Sequence, residues 1–191
     1  MKLFGPLYDR VLNWSRHPKA PWYLGGLSFA ESSFFPIPPD VMLAPMALAQ
    51  PKAWWRLALI TTLASVAGGL LGYFIGWIAM DAVLPWIERV GYGAKLAQAQ
   101  GWFERWGFWA ILLAGFSPIP YKAFTIAAGG VGMALFPFTI ASIIGRGGRF
   151  FLVAYLMARF GPAAEAKLKP MIEWLGWGAV ALAVLIYLVF R

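Results

Sequence analysis

The chain has 191 residues, 61% of them hydrophobic and 13% charged, with a mean hydropathy of +0.67. A soluble domain is nearer half apolar and a quarter charged, so there is too little polar residue here to cover a water-facing surface. The 16 Lys and Arg against 8 Asp and Glu give +8, an excess that a membrane protein collects in cytoplasmic loops and at anionic headgroups, and no nucleic-acid partner is expected from it. Cysteine is absent, which excludes disulfides, thiol catalysis and cysteine metal sites.

The first 20 residues carry Lys2, Arg10, Arg16 and Lys19 with Asp9, while Leu3, Leu7, Val11 and Trp14 recur at helical spacing opposite them. This predicts an amphipathic helix over 1–20 lying on the bilayer surface, without the apolar core of a cleavable signal. An apolar arm of 14 residues, Trp22 to Phe35, is interrupted by Glu31; Pro36, Ile37, Pro38, Pro39 and Asp40 follow, and then nine apolar residues, Val41 to Ala49. As helices these arms reach ~21 and ~14 Å, short of the ~30 Å hydrocarbon core. Residues 22–49 are therefore expected to form a re-entrant hairpin. Pro36, Pro38 and Pro39 make its tip, because proline lacks an N–H and clashes with the preceding helical turn.

Leu57 to Met80 is an uncharged run of 24 residues, which predicts a transmembrane helix over 54–80. Over 81–105, Arg89, Lys95 and Arg105 are balanced by Asp81, Glu88 and Glu104, and Trp86 and Trp102 stand like interfacial anchors. A surface helix on the outer face is expected there. The arm Trp106 to Ser117, a break at Pro118, Ile119, Pro120, Tyr121 and Lys122, and the arm Ala123 to Leu135 make a second hairpin over 106–135, with Pro118 and Pro120 at its tip. Residues 136–160 and 171–190 read as two further transmembrane helices.

Pro-Ile-Pro occurs in both breaks, and Thr62-Leu-Ala-Ser-Val-Ala-Gly68 matches Thr139-Ile-Ala-Ser-Ile-Ile-Gly145. Two matched elements in the same order argue for an internal duplication. An odd number of crossings separates the hairpins, so they enter from opposite faces, the inverted repeat in which broken segments meet near the midplane of a transporter. The expected fold class is an all-α polytopic membrane protein: an inverted repeat of two opposed re-entrant helical hairpins, each followed by a transmembrane helix, plus a C-terminal transmembrane helix. Lys2, Arg10, Arg16, Lys19, Lys52 and Arg56 flank the first hairpin, which places the N-terminus in the cytoplasm.

Five ionisable groups fall within or beside apolar segments: Glu31, Asp40, Lys122, Arg146 and Arg149. Each charge at that depth costs ~2.5–3.5 kcal/mol on insertion scales, so such groups are paired, in a wet cavity or functional. Asp40 reads equally as a cap of the second arm or as a functional acid. Glu31 reads as a proton-exchanging carboxyl or as the fixed partner of Arg146 or Arg149. Arg146 and Arg149 share a helical face among Gly145, Gly147 and Gly148, where the matched first-unit positions are Gly69 and Gly72. The five charges sum to −2 + 3 = +1, a surplus that suits a phosphate. His17 is the single histidine, in the basic N-terminal segment, so no catalytic residue, metal site or cofactor is expected.

The run Glu31-Ser-Ser-Phe-Phe-Pro36-Ile-Pro38-Pro39-Asp40, the later Phe116-Ser-Pro118-Ile-Pro120-Tyr-Lys122 and the Gly-rich segment after it resemble the DedA family, also called the SNARE-associated Golgi protein or VTT-domain family, and within it the YqaA-like branch. The resemblance spans roughly 20–160. It implies two opposed re-entrant hairpins and movement of phospholipids or polyprenyl phosphate carriers with dependence on proton-motive force, and it places Glu31 and Asp40 at the family's essential acidic positions. Ser117 and Lys122 depart from better-known members, in which arginines flank the second hairpin's proline.

The leading expectation is a multi-pass transporter or scramblase of the bacterial cytoplasmic membrane. Its partners are membrane lipids, anionic or phosphate-bearing, and protons, and a homo-oligomer is allowed. The alternatives are a proton-coupled transporter of a small solute or ion, and a non-transporting membrane organiser; an enzyme ranks last. The charge asymmetry makes one direct prediction. A fluorescent-protein fusion at Met1 should glow in the cytoplasm, while a phosphatase fused after Arg191 should be active outside it, and the reverse pattern would invert the topology.

Overall fold

This computed structural model describes residues 17–33, 35, 37–117 and 121–161. The expected surface helix over 1–20 for its first 16 residues, the tip residues Pro36, Pro118 and Pro120, and the C-terminal helix over 171–190 lie outside the described residues. The described fold is all helical: α1 (Ala20–Ser33), α2 (Asp40–Ala49), a 3₁₀ turn (Pro51–Ala53), α3 (Trp54–Arg89), α4 (Gly93–Phe116), α5 (Tyr121–Gly130) and α6 (Leu135–Gly161). Two helices, Pro51–Arg89 with its 3₁₀ start and Leu135–Gly161, are long and apolar enough to cross a membrane. Large apolar side chains such as Leu63, Ile78, Leu113 and Phe136 point outward on the helix surfaces, as in a protein whose solvent is lipid.

The helix boundaries differ from expectation around 81–105. No break occurs at Met80; α3 continues through Pro85 to Arg89, a turn follows at 90–92 with Gly91 at φ 78°, and α4 runs unbroken from Gly93 to Phe116. The expected surface helix is thus divided between two long helices. Charge content sets where apolar surface ends, whereas the turn falls where glycine supplies the positive φ.

Packing fixes the directions of the helices. Trp54 meets Tyr155, Thr62 meets Gly147 and Tyr73 meets Phe138, so α3 and α6 run antiparallel along each other. Ser28 and Ser32 on α1 bond to Thr61 and Ser65 on α3, which makes α1 parallel to α3. On the other side Gly107 lies against Met133 and Gly145 of α6 against Leu112, so α4 runs with α6. The short helices cross over: α5 follows α3, with Tyr121 at Gly69 and Gly130 at Gly76 and Met80, while α2 follows α6 through Asp40–Arg149 and Leu48–Gly161. One buried cluster joins Ala20 and Leu24 of α1 to Met46 and Ala47 of α2 and Leu57 of α3. The chain therefore leaves one end of the molecule along α1 and returns to it along α2.

These approaches depend on missing side chains. A Cβ at Gly68 would fall on the Phe29 carbonyl, one at Gly145 on the Leu112 carbonyl, one at Gly76 on the Ile126 carbonyl and one at Gly129 on the Tyr73 carbonyl. Small residues at helix crossings replace the hydrophobic drive that lipid does not provide. Gly76→Ala or Gly129→Ala should accordingly destabilise by about 1–3 kcal/mol, the usual overpacking penalty. Gly26→Ala, which has nothing within 4 Å of the new carbon and lies inside α1, should not lower the thermal midpoint in detergent, since Ala is the better helix former.

Candidate functional site

The four helix ends at the two breaks converge beside the middle of α6. Glu31 lies near the end of α1, Asp40 opens α2, Ser117 follows α4 and Lys122 sits in the first turn of α5, while Arg146 and Arg149 project from α6 toward them. All five charges picked out from the sequence take part in this junction, as two ion pairs and one lysine.

Arg146 is 2% exposed and is held through Nε and Nη2. Its Nη2 pairs with Glu31 Oε2 and donates to Ser32 Oγ at 3.1 Å, and its Nε donates to Ser65 Oγ at 2.5 Å. Ser65 and Ser32 are 2.7 Å apart, and Ser32 donates to Glu31 Oε2 at 3.1 Å. One sense of donation satisfies this set: Arg146 to Ser65, Ser65 to Ser32, and Ser32 to Glu31. The guanidinium also lies 4.8 Å from the centre of the Tyr121 ring and 4.7 Å from that of Phe150, contacts worth about 0.5–2 kcal/mol each when desolvated. Tyr121 is itself fixed by a hydrogen bond of 2.6 Å to Ser142. Gly69, at the position matched to Arg146, makes room for that ring: a Cβ there would lie 3.0 Å from the Tyr121 hydroxyl.

Arg149 is held more loosely. Its Nη2 pairs with Asp40 Oδ2 at 2.6 Å and its Nη1 donates to the Ser117 carbonyl at 2.8 Å, with the two charged side chains 19% and 23% exposed. Asp40 caps nothing: Pro39 holds the N-cap position with no side-chain cap bond, and the carboxylate stands in the first turn, where the helix dipole favours it. Its Oδ1 is buried without a hydrogen-bond partner. Lys122 Nζ donates to the Phe35 carbonyl at 3.1 Å, joining the start of α5 to the chain beyond α1. Among the described residues no three His, Cys, Asp or Glu side chains gather where they could hold a metal.

Ser32, Ser65, Tyr121 and Phe150 also line this junction, and sequence reasoning did not single them out as candidate site residues. Ser65 carried a signal, because it recurs as Ser142 in the repeated segment. Tyr121 and Phe150 carried none, since aromatics are frequent throughout this chain.

The VTT domain family model matches residues 37–159 of this sequence. Across all 191 residues, and the full length of each relative, the chain is 48% identical to an uncharacterized protein of Haemophilus influenzae and 45% identical to one of Histophilus somni. It is 31% identical over 118 residues to undecaprenyl phosphate transporter A of Staphylococcus aureus, covering 57% of this chain and 58% of that protein. No solved structure matches it.

Removing one member of the inner pair leaves an uncompensated charge in the interior, a loss of about 3–5 kcal/mol. Glu31→Gln and Arg146→Gln should each lower the unfolding midpoint sharply, while the double variant, with no net buried charge, should be milder than the sum of the two. Additive losses in such a cycle would mean that the two groups do not act as a pair.

Proposed function

The chain belongs to the VTT-domain family, and on that premise we propose that it moves a phosphate-bearing lipid, a phospholipid or polyprenyl phosphate carrier, between the leaflets of the bacterial cytoplasmic membrane. The observation that carries this reading is the junction of ion pairs at the meeting point of the broken helices. Ionisable groups in membrane segments mark substrate or proton pathways, and transporter sites form where discontinuous helices meet near the midplane. The name of the Staphylococcus aureus relative, an undecaprenyl phosphate transporter, points to the same class of cargo.

In this reading α1 with α2, and the apolar half of α4 with α5, are re-entrant hairpins entering from opposite faces. Three lengths support it: α1 has 14 residues and α2 and α5 have 10 each, about 21 and 15 Å of helix against a core of ~30 Å. The matched approaches of Gly68 to Phe29 and Gly145 to Leu112 support the duplication, as does the antiparallel run of α3 and α6. The N-terminus is cytoplasmic. The lipid phosphate is met by cations of the Arg146, Arg149 and Lys122 set between the tips while its tails stay in the bilayer, and Glu31 and Asp40 couple the movement to protons. The protein acts as a transporter and performs no covalent chemistry on the lipid.

The test uses purified protein in liposomes carrying a labelled polyprenyl phosphate or phospholipid. Wild-type protein should raise the rate of headgroup movement between leaflets at least ten-fold over empty vesicles, and Glu31→Gln, assayed below its own unfolding midpoint, should return it to background. Equal rates with and without the wild-type protein would sink the proposal.

A further inference from the structure

The two arginines of α6 are equivalent by sequence and unequal by surroundings. From that inequality, and resting on the lipid-phosphate reading above, we infer that Arg149 is the residue that takes the phosphate, exchanging it for Asp40, whereas Arg146 is a fixed tie that never meets the cargo.

Arg146 has little capacity within reach of a ligand. Its Nε and Nη2 are spent on Ser65, Ser32 and Glu31, the Tyr121 and Phe150 rings lie against its guanidinium, and its side chain is 3% exposed, which leaves only Nη1 without a bond among the described residues. A phosphate reaching it would find only Nη1 without breaking a charge-assisted bond, on a side chain that is 3% exposed. Arg149 meets one carboxylate oxygen and one carbonyl, with no ring over it among the described contacts, and its side chain is 19% exposed. Its partner is also the less well held of the two acids. Asp40 keeps one oxygen buried without a donor, so part of its desolvation is uncompensated, and an anion that brings its own tails into lipid competes with it favourably.

Position adds to the argument. Arg149 links the start of α2 to Ser117 at the end of α4, so both breaks of the chain meet on its guanidinium. Lys122 donates a bond to the Phe35 carbonyl, and an ammonium carries three donors, leaving it able to share the anion. Exchange of Asp40 for a phosphate on Arg149 keeps a charge-assisted hydrogen bond on its Nη2, and it frees α2 from the ion pair that ties it to α6.

The full-length protein in detergent is titrated with farnesyl phosphate, a short isoprenyl phosphate, with farnesol as the uncharged control, and its arginines are mapped with phenylglyoxal by peptide mass spectrometry. Phenylglyoxal should modify Arg149 in the free protein and be blocked by farnesyl phosphate, and Arg146 should stay unmodified in both. Arg149→Gln should weaken farnesyl phosphate binding at least ten-fold, and Asp40→Asn should tighten it several-fold by removing the competitor. Binding unchanged in Arg149→Gln, weaker binding in Asp40→Asn, or protection that falls on Arg146 would overturn the assignment while leaving lipid-phosphate transport standing. Absence of saturable binding to wild-type protein, with farnesol and farnesyl phosphate indistinguishable, would overturn both.

Discussion

Keeping a guanidinium ionised in a nearly dry interior requires an opposite charge and several acceptors at once, and for Arg146 these come from α1 and α3 with aromatic faces from α5 and α6. No single helix could provide them, because side chains on one helix that share a face are three or four residues apart and point the same way. The break after α1 is therefore as necessary as the charges. It lets Glu31 and Ser32 approach from the side of the bundle, while α3 brings Ser65 alongside. Glycine at 68, 69 and 145 closes the distances that this arrangement needs.

Much of this was legible in the sequence. An uncharged run marked the first long helix, prolines marked the breaks, and charges in apolar surroundings marked all five ionisable groups that the structure brings to one junction. Those signals survive in one dimension because each states a local cost: a helix too short to cross, a missing N–H, a charge in hydrocarbon. Pairing was not legible. Glu31 could have gone to either arginine, and the choice rests on the direction of α1 relative to α6, a long-range property. The end of α3 was missed because Asp81 reads as leaving the membrane, whereas hydrogen bonding within a helix continues until the turn at Gly91.

The proposed duplication makes the differences between the halves informative. Ser65 and Ser142 occupy matched positions and both receive a hydrogen bond in the interior, one from Arg146 and one from Tyr121. Next to them the halves diverge, with Gly69 in one and Arg146 in the other. The glycine admits the Tyr121 ring, and that ring covers the arginine. A symmetric pair of arginines would have left two like charges in one apolar space with a single glutamate near them. The asymmetry gives the junction one deep cation and one shallow one.

The crossing-over of the short helices has a temporal side. Because α2 packs along α6 and α5 along α3, the first hairpin has no complete core until the second half of the chain exists. Glu31 and Arg146 are 115 residues apart and Asp40 and Arg149 are 109 apart, which at ~5–20 residues per second of synthesis is a delay of about 5–23 s. During that interval two acids sit in a half-built membrane protein without their arginines. Synthesis from the N-terminus thus makes both acids wait for the partners that the folded protein gives them.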